Sequence, residues 1–349
     1  MRKHIAIVFF LSCFVGFISI QSCDLFNKKN NDKKDATLSV TDTTKGAKLT
    51  LLDAEIKKNP SNPNLYQARA IELMHVNRLD DALKDMYYAS MIDSFNTDYY
   101  FTIADIYIEK GDGKKAVLSL EKAVSIAPER ADLKVEVGRY CLYMKEYEKS
   151  LMYLNEALKQ DVYNADAYFL KGILFKETNN EPKAISNFQT CIEQDPKYTD
   201  AYIQLGMLYA GKKDEIALRY FDNAIKVDPT ATDALYQKAM FIQNKKEYTK
   251  AIDLYKDMVP VDPKNEHIFY NIGYCYFQMD SIAKAHKNFG IAIELNPQYA
   301  EAYYNRGLCA LAKNDLVDAQ YNFDEALRLK PDMKEASEAL ATIKKQALK

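Results

Sequence analysis

Along most of this chain apolar residues recur three and four positions apart, the spacing that gathers them on one face of a helix. The helical stretches come in pairs, each pair joined by a short polar turn such as Glu109-Lys110-Gly111-Asp112-Gly113. The pairs repeat. Tyr202, Leu205, Gly206, Tyr209, Ala217, Phe221, Ala224 and Pro229 return two units later as Phe269, Ile272, Gly273, Tyr276, Ala285, Phe289, Ala292 and Pro297. The closing positions are Pro60, Ser94, Pro128, Val162, Pro196, Pro229, Pro263, Pro297 and Pro331, spaced by 34 residues except for one step of 33 after Pro196. They delimit eight units: 63–96, 97–130, 131–164, 165–198, 199–231, 232–265, 266–299 and 300–333. Proline disfavours helical geometry in the residue before it, so each second helix is predicted to end there. A period of this length predicts helix–turn–helix units stacked into an array, with function on an extended surface rather than in one cleft.

Small residues mark the contact between paired helices. The eighth position of each unit reads Ala70, Ala104, Gly138, Gly172, Gly206, Ala239, Gly273 and Gly307, and the twentieth reads Ala82, Ala116, Ser150, Ala184, Ala217, Ala251, Ala285 and Ala319. Glycine inside a helix costs roughly 0.5–1 kcal/mol against alanine. Five glycines at one position therefore predict a close helix approach, with Met86, Leu120, Leu154, Phe188, Phe221, Tyr255, Phe289 and Phe323 filling the space beside it.

Over residues 63–333 this pattern resembles the tetratricopeptide repeat (TPR) family, whose signature runs W-x2-L-G-x2-Y, A-x3-F, A and P. It departs from the signature in lacking tryptophan, with Tyr, Phe, Leu or Lys134 in that place, and in carrying Met258 where Ala224 and Ala292 stand elsewhere. The resemblance implies an all-α fold: an α-solenoid, the right-handed TPR superhelix, of eight helix-turn-helix repeats plus terminal capping helices. Its concave groove would be lined by the first helices. Two irregularities, the residue missing near Gly211-Lys212-Lys213-Asp214 and Pro260 near the end of a second helix, predict a change of pitch at 211–263 that divides the array into two arms.

The ends differ from the array. Residues 1–22 read as a lipoprotein signal peptide: Arg2 and Lys3, an apolar run from Ile5 to Ile20, then Ile20-Gln-Ser-Cys23. That tetrapeptide resembles a bacterial lipobox, which implies lipidation of Cys23 and a membrane anchor; two or more acyl chains anchor stably. Ordinary cleavage nearby, with Cys23 incidental, is the alternative. Residues 23–47 read as the lipidated cysteine and a flexible tether of Asn, Lys, Asp and Thr. A leading helix is expected over 48–62 and a capping helix over 334–349, with Ala336, Leu340, Ile343 and Ala347 facing inward.

Composition narrows the function. The formal charge is −2, and removing residues 1–22, with Arg2 and Lys3 but no acid, leaves −4. Without a basic tract, nucleic acid is not an expected partner. Cys141, Cys191, Cys275 and Cys309 form no C-x-x-C pair and read as buried small hydrophobes, a disulfide being the alternative. His75, His267 and His286 fall at unrelated repeat positions, so no metal site is expected. Nor is a cofactor. No nucleophile elbow or phosphate loop occurs, so the chain reads as a non-enzyme. Asp98, Asp132, Asp166, Asp200 and Asp233 begin first helices, where the helix dipole favours negative charge.

By family register, groove-facing residues come from positions 2, 5, 9, 12 and 13 of each unit. The family's carboxylate clamp, Lys and Asn at positions 5 and 9, is absent. The positions instead carry Phe101, Phe169, Tyr236, Tyr270, Tyr274, Phe277, Tyr304 and Leu308, densest in the last three repeats. These residues either form a binding surface for a protein or peptide with an apolar segment, or are packed between neighbouring first helices. The resulting expectation is a membrane-tethered TPR scaffold of the bacterial cell envelope, lipid-anchored in the outer membrane and serving envelope assembly or maintenance. A self-associating lipoprotein, a homo-oligomer whose groove holds its own tether or a second copy, is the alternative.

Overall fold

The computed structural model describes residues 42–347. These form two compact units that meet in sequence at Asn179 and Asn180. The first holds α1 (Asp42–Lys58), α2 (Pro63–His75), α3 (Leu79–Ile92), α4 (Thr97–Glu109), α5 (Gly113–Ile126), α6 (Ala131–Tyr143), α7 (Tyr147–Gln160) and α8 (Ala165–Glu177). The second holds α9 (Glu181–Gln194), α10 (Thr199–Gly211), α11 (Ile216–Val227), α12 (Thr232–Asn244), α13 (Tyr248–Met258), α14 (Glu266–Gln278), α15 (Ile282–Leu295), α16 (Ala300–Ala312), α17 (Leu316–Leu329) and α18 (Lys334–Ala347). The described residues contain no strand, and each unit is an α-solenoid of packed helix pairs.

Helix ends follow local chemistry repeated along the chain. Asn62, Asn96, Asn164 and Asn265 cap first helices, each accepting a backbone N–H of the first turn. One residue per repeat is left-handed at the end of the first helix: Asn77, Gly111, Lys145, Asn179, Lys213, Lys246, Asp280 and Asn314, with φ between 56° and 75°. The following N–H then reaches back into the last turn, as in Asp112 N to Tyr107 O at 2.8 Å and Glu146 N to Cys141 O at 2.8 Å. Second helices stop at an extended Asp or Asn whose side chain accepts the N–H two residues on, as at Asp93, Asp161, Asp195, Asp228 and Asn296. This turn explains why the helices before Ser94 and Val162 end in register although those positions lack proline.

The close helix approach is present. A Cβ on Gly138 would lie 2.8 Å from Leu154, one on Gly206 2.5 Å from Phe221, one on Gly273 2.9 Å from Phe289 and one on Gly307 2.7 Å from Phe323. Ser150 fits the alanine position because its buried hydroxyl donates to Gly138 O at 2.7 Å. The missing residue is absorbed at the start of α11, where Ala217 N bonds Asp214 O and Leu218 N bonds Glu215 O, while α10 keeps its 13 residues. Pro260 lies just past α13, which it shortens to 11 residues.

Two expectations about organisation need correction. The division between compact units falls at 179/180, not within 211–263, because both irregularities are taken up at helix ends and leave the Phe221 and Tyr255 contacts buried. The leading helix starts at Asp42, six residues before its expected start at 48. Its packed residues, Leu49 and Ile56, support a helix that continues backward through polar residues, which composition alone reads as tether. Of the inner stripe on α18, Ala336, Leu340 and Ile343 are buried, whereas the side chain of Ala347 lies outside those described. The signal segment, Cys23 and the tether up to residue 41 also lie outside the described residues.

Cys141, Cys191, Cys275 and Cys309 are fully buried. Burial pushes the Cys141, Cys275 and Cys309 thiols up to about 12. Raised values keep those three neutral at pH 8 and full burial shields Cys191, so iodoacetamide should leave all four unmodified in the folded chain and alkylate all four in about 6 M guanidinium, read by peptide mass spectrometry.

Candidate partner-binding groove

In the second unit, the first helices α12, α14 and α16 bring the predicted aromatic residues onto successive rods. Tyr236, Tyr270, Tyr274, Phe277 and Tyr304 are each half-buried. Their inner edges are fixed. The Tyr270 ring centroid is 5.6 Å from that of Phe289 and 4.9 Å from that of Tyr299, and Tyr304 sits 5.7 Å from Phe323. Two hydroxyls join adjacent first helices: Asn271 Nδ2 donates to Tyr236 Oη at 2.9 Å, and Asn305 Nδ2 donates to Tyr270 Oη at 2.9 Å. Both asparagines are buried. The tyrosines are therefore packing and surface at once: one edge holds the stack together and the other meets solvent. Burial raises the Tyr304 hydroxyl above the usual tyrosine range, so it stays a neutral donor.

Two predicted residues do not fit an open groove. Leu308 is 8% exposed and Phe169 3% exposed, so both belong to the core. Position 9 turns inward on α16, where Leu308 joins Tyr303, Ala310 and Phe323. Phe101 on α4 is half-buried and packs on the core around Ile103 and Ile106.

The first unit has a polar counterpart that hydrophobic patterning does not reveal. On α6 every residue from Leu133 to Leu142 is buried, including Lys134, Glu136 and Arg139. Arg139 Nε lies 3.4 Å from Glu136 Oε2, within ion-pair range but with no hydrogen-bond partner. Tyr140 Oη donates to Asp105 Oδ1 at 2.5 Å, and burial together with that carboxylate holds the hydroxyl well above its usual range. Burial also lowers Lys171 and Lys176 on α8. The one sequence signal for this cluster is the run of Asp105, Arg139 and Lys176 at groove positions that are apolar in most other repeats.

Among the described residues, no group of three or more His, Cys, Asp or Glu is placed to hold a metal ion. No described helix is long and apolar enough to cross a membrane.

Helix pairs on a 34-residue period, stapled by bare backbone against an aromatic ring, define a helical-repeat scaffold. Profiles described as Tetratricopeptide repeat match residues 97–130, 165–198, 208–266 and 270–334, and the chain belongs to that family. The chain is similar to the C-terminal part of a TPR repeat-containing protein from Cytophaga hutchinsonii, with a TM-score of 0.57 and 16% identity over 69% of this chain and 99% of that one. It is also similar to PilF of Pseudomonas aeruginosa, with a TM-score of 0.53 and 16% identity over 61% of this chain and 97% of that one. Identities this low show the fold alone. Among curated proteins, the Hsp70-Hsp90 organizing protein of Triticum aestivum is 22% identical over 48% of this chain and 23% of its own length. Protein O-mannosyl-transferase TMTC3 of Homo sapiens is 23% identical over 66% of this chain and 26% of its own length. The chain thus spans about a quarter of the length of these curated relatives.

Proposed function

We propose that this protein is a non-catalytic scaffold that captures an apolar segment of a protein partner along the first helices of its second unit. The observation carrying this reading is the row of half-buried Tyr236, Tyr270, Tyr274, Phe277 and Tyr304 on three successive first helices. Aromatic side chains held on one edge and wet on the other offer broad contact area with little left to order on binding. The name of a relative such as the Hsp70-Hsp90 organizing protein points to protein assembly as a use of such arrays. This chain lacks the basic clamp for an acidic tail, so its chemistry favours an apolar segment. We further read Cys23 as lipidated, the protein as tethered to the outer membrane of a bacterial envelope, and its role as envelope assembly or maintenance. The lipobox-like Ile20-Gln-Ser-Cys23 supports that anchor.

Replacing Tyr274 by photoreactive benzoylphenylalanine in intact cells tests the groove. The expected product is an adduct to an apolar stretch of another protein, and the same probe at exposed Lys287 on α15 should give none. Adducts only to this chain would instead favour self-association.

A further inference from the structure

Second helices in this chain mostly turn charged or polar residues outward. In the fifth repeat, for example, Asp222, Asn223, Lys226 and Thr230 are all exposed. The first repeat places Tyr87, Tyr88, Met91 and Phe95 at those same positions. Met91 is 79% and Phe95 81% exposed, Tyr87 and Tyr88 are nearly half exposed, and Leu118 on the next second helix, α5, is 62% exposed. This apolar face is held rigidly from beneath. Tyr87 Oη meets Tyr107 Oη at 2.7 Å, and the Tyr88 ring lies 4.6 Å from that of Tyr66. Exposed apolar side chains gathered on one helix face in this way mark a contact surface.

We propose that this face of repeat one lies against the lipid bilayer, a reading that rests on the lipid anchor at Cys23. The location of the patch favours a bilayer over a protein. Residues 24–41 put only 18 positions between Cys23 and the start of α1. Because α1 packs directly on α2, repeat one is the repeat held nearest the anchor. Tethering at that range makes weak apolar contacts with the bilayer effectively intramolecular. The composition also suits a lipid interface: tyrosines belong at headgroup depth, while Met91 and Phe95 reach the acyl boundary. Exposed Lys114 and Lys122 on α5 add attraction to anionic headgroups. With its first repeat against the bilayer, the first unit would rest on its α3 face.

The chain has no tryptophan, so one introduced indole reports alone. Phe95→Trp and, as a control on the second unit, exposed Tyr321→Trp are placed in the full-length protein reconstituted from its native membrane into vesicles of anionic phospholipid. With brominated acyl chains, Phe95→Trp should shift to the blue by about 10 nm and lose at least about half its emission, while Tyr321→Trp does neither. Equal quenching of the two, or none in either, overturns the proposal. A blue shift that depends on protein concentration and ignores bromine assigns the face to a second copy and also overturns it. Mass spectrometry of the mature N-terminus separates the two layers of the argument. An unacylated Cys23 removes the anchor and this proposal with it, whereas an acylated Cys23 with an unquenched Phe95→Trp removes the docking alone.

Discussion

Phe221→Ala is expected to destabilise the second unit by about 3–5 kcal/mol, the usual cost of emptying a buried aromatic site. In a unit of this size that corresponds to a fall in Tm of about 8–15 °C. The ring is fully buried in a cluster with Phe241, Met207 and Leu218, and its edge lies on the bare backbone of α10. The reciprocal change makes the same point from the other side. Gly206→Ala should gain roughly 0.5–1 kcal/mol of helix propensity, yet its Cβ would stand 2.5 Å from the ring, so the net effect is a loss. Gly206→Ala placed in Phe221→Leu should recover part of that loss, giving a coupling energy above about 1 kcal/mol in a double-mutant cycle. Melting followed by circular dichroism, with hydrogen exchange read on α10 and α11, checks both. A Phe221→Ala protein within about 1 kcal/mol of the parent would contradict the packing described.

Much of this arrangement was legible in the sequence because the closest contacts are made by residues with few alternatives. A glycine recurring inside a helix has to be explained by contact, and Gly138, Gly206, Gly273 and Gly307 each face the large residue that the register assigns to them. The turn was less legible. Gly111 announces a left-handed residue, but Lys145, Lys213 and Lys246 adopt the same conformation with nothing in their chemistry to signal it. There the returning hydrogen bonds of the helix end override the local preference. Burial of charge was also hard to read. α6 buries Lys134, Glu136 and Arg139, their long stems covering apolar surface. Register puts Tyr236, Tyr270, Tyr274, Phe277 and Tyr304 on first helices, where each is half-buried. It could not show that Phe169 and Leu308 turn inward, since that depends on how closely neighbouring rods approach.

The same half-burial decides how the groove has to be tested. Tyr270 is a poor probe because its hydroxyl and ring tie α14 to Asn305, Phe289 and Tyr299. Tyr274 and Phe277 are the better pair, one turn along the same helix and each partly open to solvent. Changing both to glutamine keeps helix-compatible side chains and removes the apolar contact. Half-burial limits the expected cost to about 1–3 kcal/mol for the pair, which shifts Tm by a few degrees in a unit of this size. The loss of apolar contact to the partner should weaken binding by at least about 100-fold, since buried aromatic anchors carry a disproportionate share of such interfaces.

The decisive measurement is therefore the affinity of the Tyr274→Gln, Phe277→Gln protein for the segment captured by crosslinking, taken alongside its melting curve. The account predicts a folded protein, cooperative on heating, with that large loss of affinity. Undiminished binding by a protein whose second unit melts far below the parent would mean that these aromatic residues only hold the stack together, and that the partner is met elsewhere.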